Sequence, residues 1–281
     1  MSLFQVGHIN SLRVLRTVSI GAYLDGGDGT DILLPLKYLP ARGVSEGDVL
    51  DVFIYHDNEG RLIATTLRPY ISVGEVAWLE CVGTSAAGAF LDMGIHKDLL
   101  VPFSEQNRRM EVGHRYMVYL YLDQVSGRLV GSAKLNKHIG NLIPDCRPGD
   151  EVSVTVAENT PIGWKCIVNN KFWGMIYHDE TDVSLSVGSK HRAYIVRLRE
   201  DDKLDLSLQR VGYHRIDSSA VALHRLLHQN GGILKVGDKS DPEEIRRICG
   251  MSKKVFKQAA GSLYKDRIIK ISDDKIELII K

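Results

Sequence analysis

Along residues 4 to 210, apolar and polar side chains alternate in short runs. Val52 and Ile54, and again Val118, Leu120 and Leu122, occupy every second position, the period of a strand with one buried face. The runs are rich in β-branched and aromatic residues and are cut by Gly, Asp and Asn. Asp57-Asn58-Glu59-Gly60 and Gln124-Val125-Ser126-Gly127 predict hairpin turns before a closing strand. From about Tyr213 the period moves toward 3.6. Leu223, Leu226 and Leu227 share one side of a predicted helix ended by Asn230-Gly231-Gly232. DPEEIRRICG predicts a second helix, with Asp241 as cap, Pro242 in the first position, Glu244 completing a capping box and Gly250 as the stop. A third starts at Ser252. It buries Val255, Phe256, Ala259, Leu263 and Tyr264, and turns Lys254, Lys257, Gln258, Gly261 and Lys265 outward. IIKISDDKIELII then predicts two strands around Asp273-Asp274.

The alternating part repeats itself. GAYLDGG at residues 21 to 27 returns as GAFLDMG at 88 to 94, and each is preceded by Val-Gly, with Gly7 and Gly74 fourteen residues before Gly21 and Gly88. Gly149 and Gly163, in IGWKCIV, keep the same distance in a third copy. The flanks run in parallel as well. DILLPLKYL answers DLLVPFSEQ, with GMIYHDE in the third copy, and each copy then offers a glycine turn and two further strand-like runs. A repeat of this kind decides the fold before any single element does. Five strands in roughly seventy residues make a small core, and closing the sheet removes exposed edges, so each copy predicts a five-stranded OB-type barrel.

The order Val-Gly, Gly-Ala-aromatic-Leu-Asp, an apolar Leu-Leu strand, Val-x-x-Gly-Asp and Gly-Arg-Leu resembles the S1 domain of ribosomal protein S1. The helix, short strand, helix, helix and hairpin that follow have the order of a winged helix. The fold expected is therefore multidomain and mainly β: three tandem S1-type barrels at residues 1–70, 71–141 and 142–212, then an α+β winged-helix domain at 213–281. Junctions are expected near Pro69-Tyr70, Pro144 and Gly212.

Charge separates these parts. The whole chain carries +1 at neutral pH, but residues 213 to 281 hold +5 and the remainder −4, so the C-terminal module is the one built to attract phosphate. A content of 44% hydrophobic and 25% charged residues is that of a globular protein. With neither a long apolar span nor a signal-like N-terminus, the sequence predicts a cytoplasmic protein. Cys81, Cys146, Cys166 and Cys249 are scattered, which predicts reduced, buried thiols rather than disulfides or a metal site.

The tandem S1 domains followed by a winged helix resemble the bacterial conserved virulence factor B family along nearly the full chain. The resemblance implies a cytoplasmic RNA-binding regulator that acts after transcription, with no known catalysis and no cofactor. In the S1 pattern two aromatics and a histidine stack on single-stranded RNA. The first aromatic position is Ile20, Ala87 and Ile162 here, the second is Tyr23, Phe90 and Lys165, and the histidine position is Pro35, Pro102 and Tyr177. The third copy has more rings, with Trp164, Phe172, Trp173 and Tyr177 beside Lys165 and Lys171, and is expected to hold the best RNA platform. Arg61, Arg128 and Lys203 match the family's phosphate-side positions. On the winged helix, Ser252, Lys253, Lys254, Lys257, Gln258 and Lys265 are the expected nucleic-acid contacts.

No phosphate loop, nucleophile turn or zinc-protease helix is present. His224 and His228 stand four apart on a predicted helix without an evident third ligand, and Asp25 and Asp92 recur in turns, where such residues bond the local backbone. An enzyme is thus not expected. Two other readings stay open: a transcription factor that reads duplex DNA through the winged helix, and a scaffold whose first barrels dock a ribosome or a protein.

Overall fold

The computed structural model describes residues 4–181, 183–209, 218–265 and 267–279. The chain divides into two compact units at residues 208 and 209. The boundary expected between residues 212 and 213 lies outside the described residues.

The first unit contains the three barrels. The first is built from β1 (Ile9–Val18), β2 (Gly21–Asp25), β3 (Asp31–Pro35), β4 (Val49–His56) and β5 (Leu62–Thr65), closed in the order β1-β2-β3-β5-β4. The second repeats the plan with β6 (Val76–Thr84), β7 (Gly88–Leu91), β8 (Leu99–Pro102), β9 (Arg115–Leu122) and β10 (Leu129–Ser132), and the third with β11 (Glu151–Thr160), β12 (Gly163–Val168), β13 (Phe172–Tyr177), β14 (Lys190–Leu198) and β15 (Leu204–Ser207). A parallel ladder joins β3 to β5 and β13 to β15. In the second barrel the equivalent strands lie side by side, a Cβ on Gly131 of β10 falling 2.9 Å from Val101 of β8. Even the irregularities repeat. The first strand of each barrel shifts register where it meets the second, at Val14/Arg16, Cys81/Gly83 and Val156/Glu158, a bulge that sharpens the local bend.

The recurring glycines have a common cause. Gly7, Gly74 and Gly149 turn the chain at φ of 78°, 86° and 94° and donate N–H to the fourth-strand carbonyls of Ile54, Leu120 and Ile195. A Cβ on Gly21, Gly88 or Gly163 would stand 2.1, 2.3 or 2.4 Å from a backbone oxygen of the third strand, closer than any side chain tolerates. Gly88→Ala is therefore expected to destabilise the chain by about 1–3 kcal/mol through overpacking. Gly83→Ala, whose Cβ would enter open space, should stay within about 0.5 kcal/mol. Urea unfolding of both variants checks the contrast. Asp25 and Asp92 hold their turns as expected, accepting from the N–H of Gly27 at 2.9 Å and of Gly94 at 2.8 Å.

Alternation alone predicts one buried face per strand, and β4 departs from it. Leu50, Val52 and Ile54 fill the first barrel, while Phe53 and Tyr55 on the opposite face are buried in the core of the second. The junction is tightened by backbone bonds from Val73 N–H to the Gly7 carbonyl at 2.9 Å and from Tyr70 N–H to that of Met93 at 2.8 Å. Between the second and third barrels, Val76, Met117, Ile139, Ile167 and Trp173 form a further apolar cluster. Of the cysteines, Cys81 and Cys166 are buried, whereas Cys146 and Cys249 are only half-buried; all four are free. Burial pushes the Cys166 thiol up to about 12 and that of Cys249 to about 11.

The second unit has α1 (Ser218–Gln229), β16 (Ile233–Leu234), α2 (Pro242–Cys249), α3 (Lys253–Lys265), β17 (Ile269–Ile271) and β18 (Ile276–Leu278), with sheet order β16-β18-β17. Leu223, Leu227, Ile245, Phe256, Leu263 and Ile276 lie in its core. The Asp241 carboxylate caps α2 by accepting from Glu243 N–H at 2.8 Å, and Gly250 ends the helix in the left-handed region. The reciprocal Glu244 arm of a capping box is not formed. On α3 the buried stripe is Phe256, Ala259, Ala260 and Leu263. Tyr264, expected inside, is 57% exposed, because it falls in the last turn past the edge of that stripe.

Candidate nucleic-acid interface

The register of the second and third strands fixes which residues are equivalent. Gly21, Gly88 and Gly163 pair with Pro35, Pro102 and Tyr177, so the outward positions are Tyr23 and Leu33 on the first barrel, Phe90 and Leu100 on the second, and Lys165 and Met175 on the third. Ile20 and Ile162 are 57% and 60% exposed. These positions face solvent but carry no ring to stack.

On the first barrel the surroundings of Tyr23 are already committed. The Arg16 guanidinium lies 4.4 Å from its ring centroid and pairs with Asp31 at 2.7 Å. Arg61 is held by Asp57 at 2.8 Å and Glu59 at 2.9 Å, so its charge is balanced within its own turn.

On the third barrel, expected to hold the best RNA platform, the rings do not share one open face. Trp173 is only 9% exposed, packed in the cluster that joins the second and third barrels, with the Lys165 ammonium 4.0 Å above its ring. It cannot open a face to a base. Trp164 is half-buried and meets His178 edge-on at 5.7 Å. The Tyr177 hydroxyl donates to Asp205 at 3.2 Å, a buried carboxylate that also binds Arg197. Lys171 is exposed, and Lys203 is exposed but pairs with Asp201 at 2.8 Å. The physical reason is that an outward strand face is free only where no neighbouring module covers it.

The second barrel presents the most complete arrangement. Its outward face, with Phe90 and Leu100, opens into a cleft of about 730 Å³ that the first barrel walls with Lys37, Tyr38 and His56. His96, Lys97 and Arg128 of the second barrel are also among the lining residues. Lys37 lies 4.8 Å from the Tyr38 ring centroid, and His96 stacks obliquely on the same ring at 5.6 Å. Lys97 donates to the His56 carbonyl at 2.6 Å. Burial, then the charge of Arg128, lowers the Lys97 pKa, so an incoming anion would relieve a repulsion already present. Of the cleft's two carboxylates, Asp57 is paired with Arg61, and burial followed by the charge of Asp92 raises the Asp98 pKa. Cationic groups thus dominate beside an aromatic face. Reading one repeat at a time finds Phe90 and Arg128 but misses Lys37 and Tyr38, which another copy contributes to the wall, and also His96 and Lys97, which lie in the turn after β7 of the same copy. The available signal was the second copy's His96-Lys97, which has no basic counterpart in the GDGT of the first.

Two histidines are expected to make stability depend on pH. His138 stacks on Tyr119 at 4.4 Å and on Tyr121 at 5.1 Å, and its Nε2, like His56 Nδ1, is buried without a hydrogen-bond partner. Burial lowers both pKa values below 6.5. Below that value the unfolded chain binds more protons than the folded one, so stability is expected to fall as pH drops from 6.5 through the folded values. Urea midpoints at pH 7.5 and 5.5, with a smaller difference in His138→Asn, check this.

In the second unit, Ser252 Oγ accepts from Val255 N–H at 3.3 Å and caps α3. Lys253 donates to the Ser240 carbonyl at 2.8 Å and Lys257 pairs with Asp238 at 2.9 Å, so both lean on their own unit. Lys254, Gln258 and Lys265 are exposed, with Tyr264 beside them. His224 and His228 meet edge-on at 4.6 Å, and no group of three potential metal ligands occurs among the described residues. Nor is any helix among them long and apolar enough to cross a membrane.

Comparison with known proteins identifies domain types at the two ends of the chain. Residues 6–67 match the family model of the S1 domain, and residues 222–278 match that of the CvfB-like winged helix domain. The chain is 26% identical to conserved virulence factor B of Staphylococcus epidermidis, over 98% of this chain and 95% of that protein. It is 25% identical to the Staphylococcus aureus protein of the same name over equal shares. A solved multidomain protein with nucleic acid binding domains from Streptococcus pneumoniae aligns with 98% of each chain at 22% identity and a TM-score of 0.40. The chain is therefore similar to conserved virulence factor B along nearly its whole length, joining an S1 domain and a CvfB-like winged helix, both nucleic-acid-binding domain types.

Proposed function

We propose that this chain is a non-enzymatic, cytoplasmic protein that binds single-stranded or loop-containing RNA and regulates gene expression after transcription. The observation that carries the reading is the cleft on the second barrel, where Phe90 stands among Lys37, Lys97 and Arg128. A half-buried ring flanked by cations suits unpaired bases on a charged backbone, because every base offers a face for stacking and every phosphate a charge. The similarity to proteins named as virulence factors supports the regulatory role. The exposed residues of α3 add a second basic surface, and two weak contacts on one chain reinforce each other.

Fluorescence anisotropy with single-stranded RNA, single-stranded DNA and duplex DNA tests the proposal. RNA is expected to bind tightest. Three phosphate-binding cations predict a log–log salt slope of about −2, at roughly −0.7 per phosphate on a single strand. Tighter binding to duplex DNA, abolished by Lys254→Ala with Lys257→Ala, would favour a transcription factor instead. Absence of binding to any RNA at low salt ends the proposal.

A further inference from the structure

The cleft is not the only basic recess on the second barrel. Strand β10 lines the cleft through Leu129 and Val130 and leads, through Ala133, into a groove of about 270 Å³ at the junction with the third barrel. Lys134 and Lys137 enter that groove from the second barrel, and Lys165 and Trp173 from the third. Only Gly131 and Ser132 lie between the two linings, a span of about 10 Å from Val130 to Ala133. Phe103, just after β8, is exposed, with the Arg109 guanidinium 3.5 Å from its ring centroid.

The chemistry of the groove differs from that of the cleft. Trp173 is buried under Lys165 and offers no stacking face. Asn107 spends its amide on the Ala133 carbonyl at 2.8 Å. What remains is the Asn136 side chain and three ammonium groups, of which Lys134 has neither the ring contact of Lys165 nor the carboxylate partner of Lys137. Glu158 opposes them, while nearby Glu105 is engaged by Lys137 at 2.7 Å and by Ser132. Such a set recognises phosphate charge rather than base identity.

Resting on the RNA reading above, we infer that this groove is a second, phosphate-only site for the same strand. The cleft takes bases and backbone, the groove takes backbone alone, and β8 and β10 carry the strand between them past Phe103 and Arg109. Affinity should then depend on length. An oligonucleotide that fills only the cleft gains nothing from the groove, whereas one that spans both gains from the raised effective concentration of the second contact.

The test uses the full chain with oligouridylates of about 4 and about 16 nucleotides, the limits of a single OB site, and the variant Lys134→Gln with Lys165→Gln. The longer oligonucleotide is expected to lose at least about tenfold in affinity while the shorter is unchanged. Lys134→Arg with Lys165→Arg should retain the longer one's affinity. Equal losses at both lengths, or none at either, would overturn the inference and leave RNA binding intact. If the unmodified chain binds neither oligonucleotide, the RNA reading itself fails and this inference with it.

Discussion

Replacing Phe53 with alanine is expected to destabilise the first unit by about 3–5 kcal/mol, the cost of deleting a fully buried ring and leaving its cavity. Phe53 is completely buried, yet it points away from the interior of its own barrel, where Val52 and Ile54 lie, and into the core of the next. Were β4 buried on one face only, as its alternation predicts, the same change would stay within about 0.5 kcal/mol. The urea midpoint therefore distinguishes two barrels that share a core from two that are merely tethered. A second consequence follows from position. Tyr55, two residues along the same face, lines the cleft, so Phe53→Ala should also weaken RNA binding even where the protein remains folded.

Phe90→Ala combined with Arg128→Gln is expected to reduce RNA affinity by about 10- to 100-fold. Loss of one stacked base accounts for roughly 1–3 kcal/mol, each 1.4 kcal/mol being about tenfold, and removal of Arg128 should flatten the salt slope by about 0.7. Trp164→Ala, at a half-buried ring on the third barrel, should cost less. Anisotropy titrations at one salt concentration rank the variants. If Trp164→Ala proves the more damaging, the principal face belongs to the third barrel and the assignment to the second is wrong.

Counting rings favours the third barrel, but the structure distributes those rings over separate surroundings. Trp164, Trp173 and Tyr177 lie close in sequence, but strand parity and the neighbouring barrel send them to different places. Trp173 enters the junction with Ile139 and Met117, Trp164 borders the barrel's own core, and Tyr177 bonds a buried carboxylate. Lys253 and Lys257 on α3 are a milder case. Helical periodicity turns Lys257 toward the surface and Lys253 is an expected nucleic-acid contact, but their ion-pair and carbonyl partners lie in the loop before α2, sequence-distant from the helix itself.

Much of the molecule could be read from the order of residues, because its causes are local. The threefold spacing of glycines marks tight turns and close strand contacts that each copy makes within itself. Asp241, Pro242 and Gly250 delimit α2 through bonds spanning a few residues. The charge difference between the two parts is composition alone. The shared core around Phe53, the covering of Trp173 and the cleft that joins Lys37 of one copy to Phe90 and Arg128 of the next were settled only by folding. Alternation tells which side of a strand faces out of its own barrel, but burial of that side depends on a surface contributed by another repeat, and no local pattern encodes that meeting.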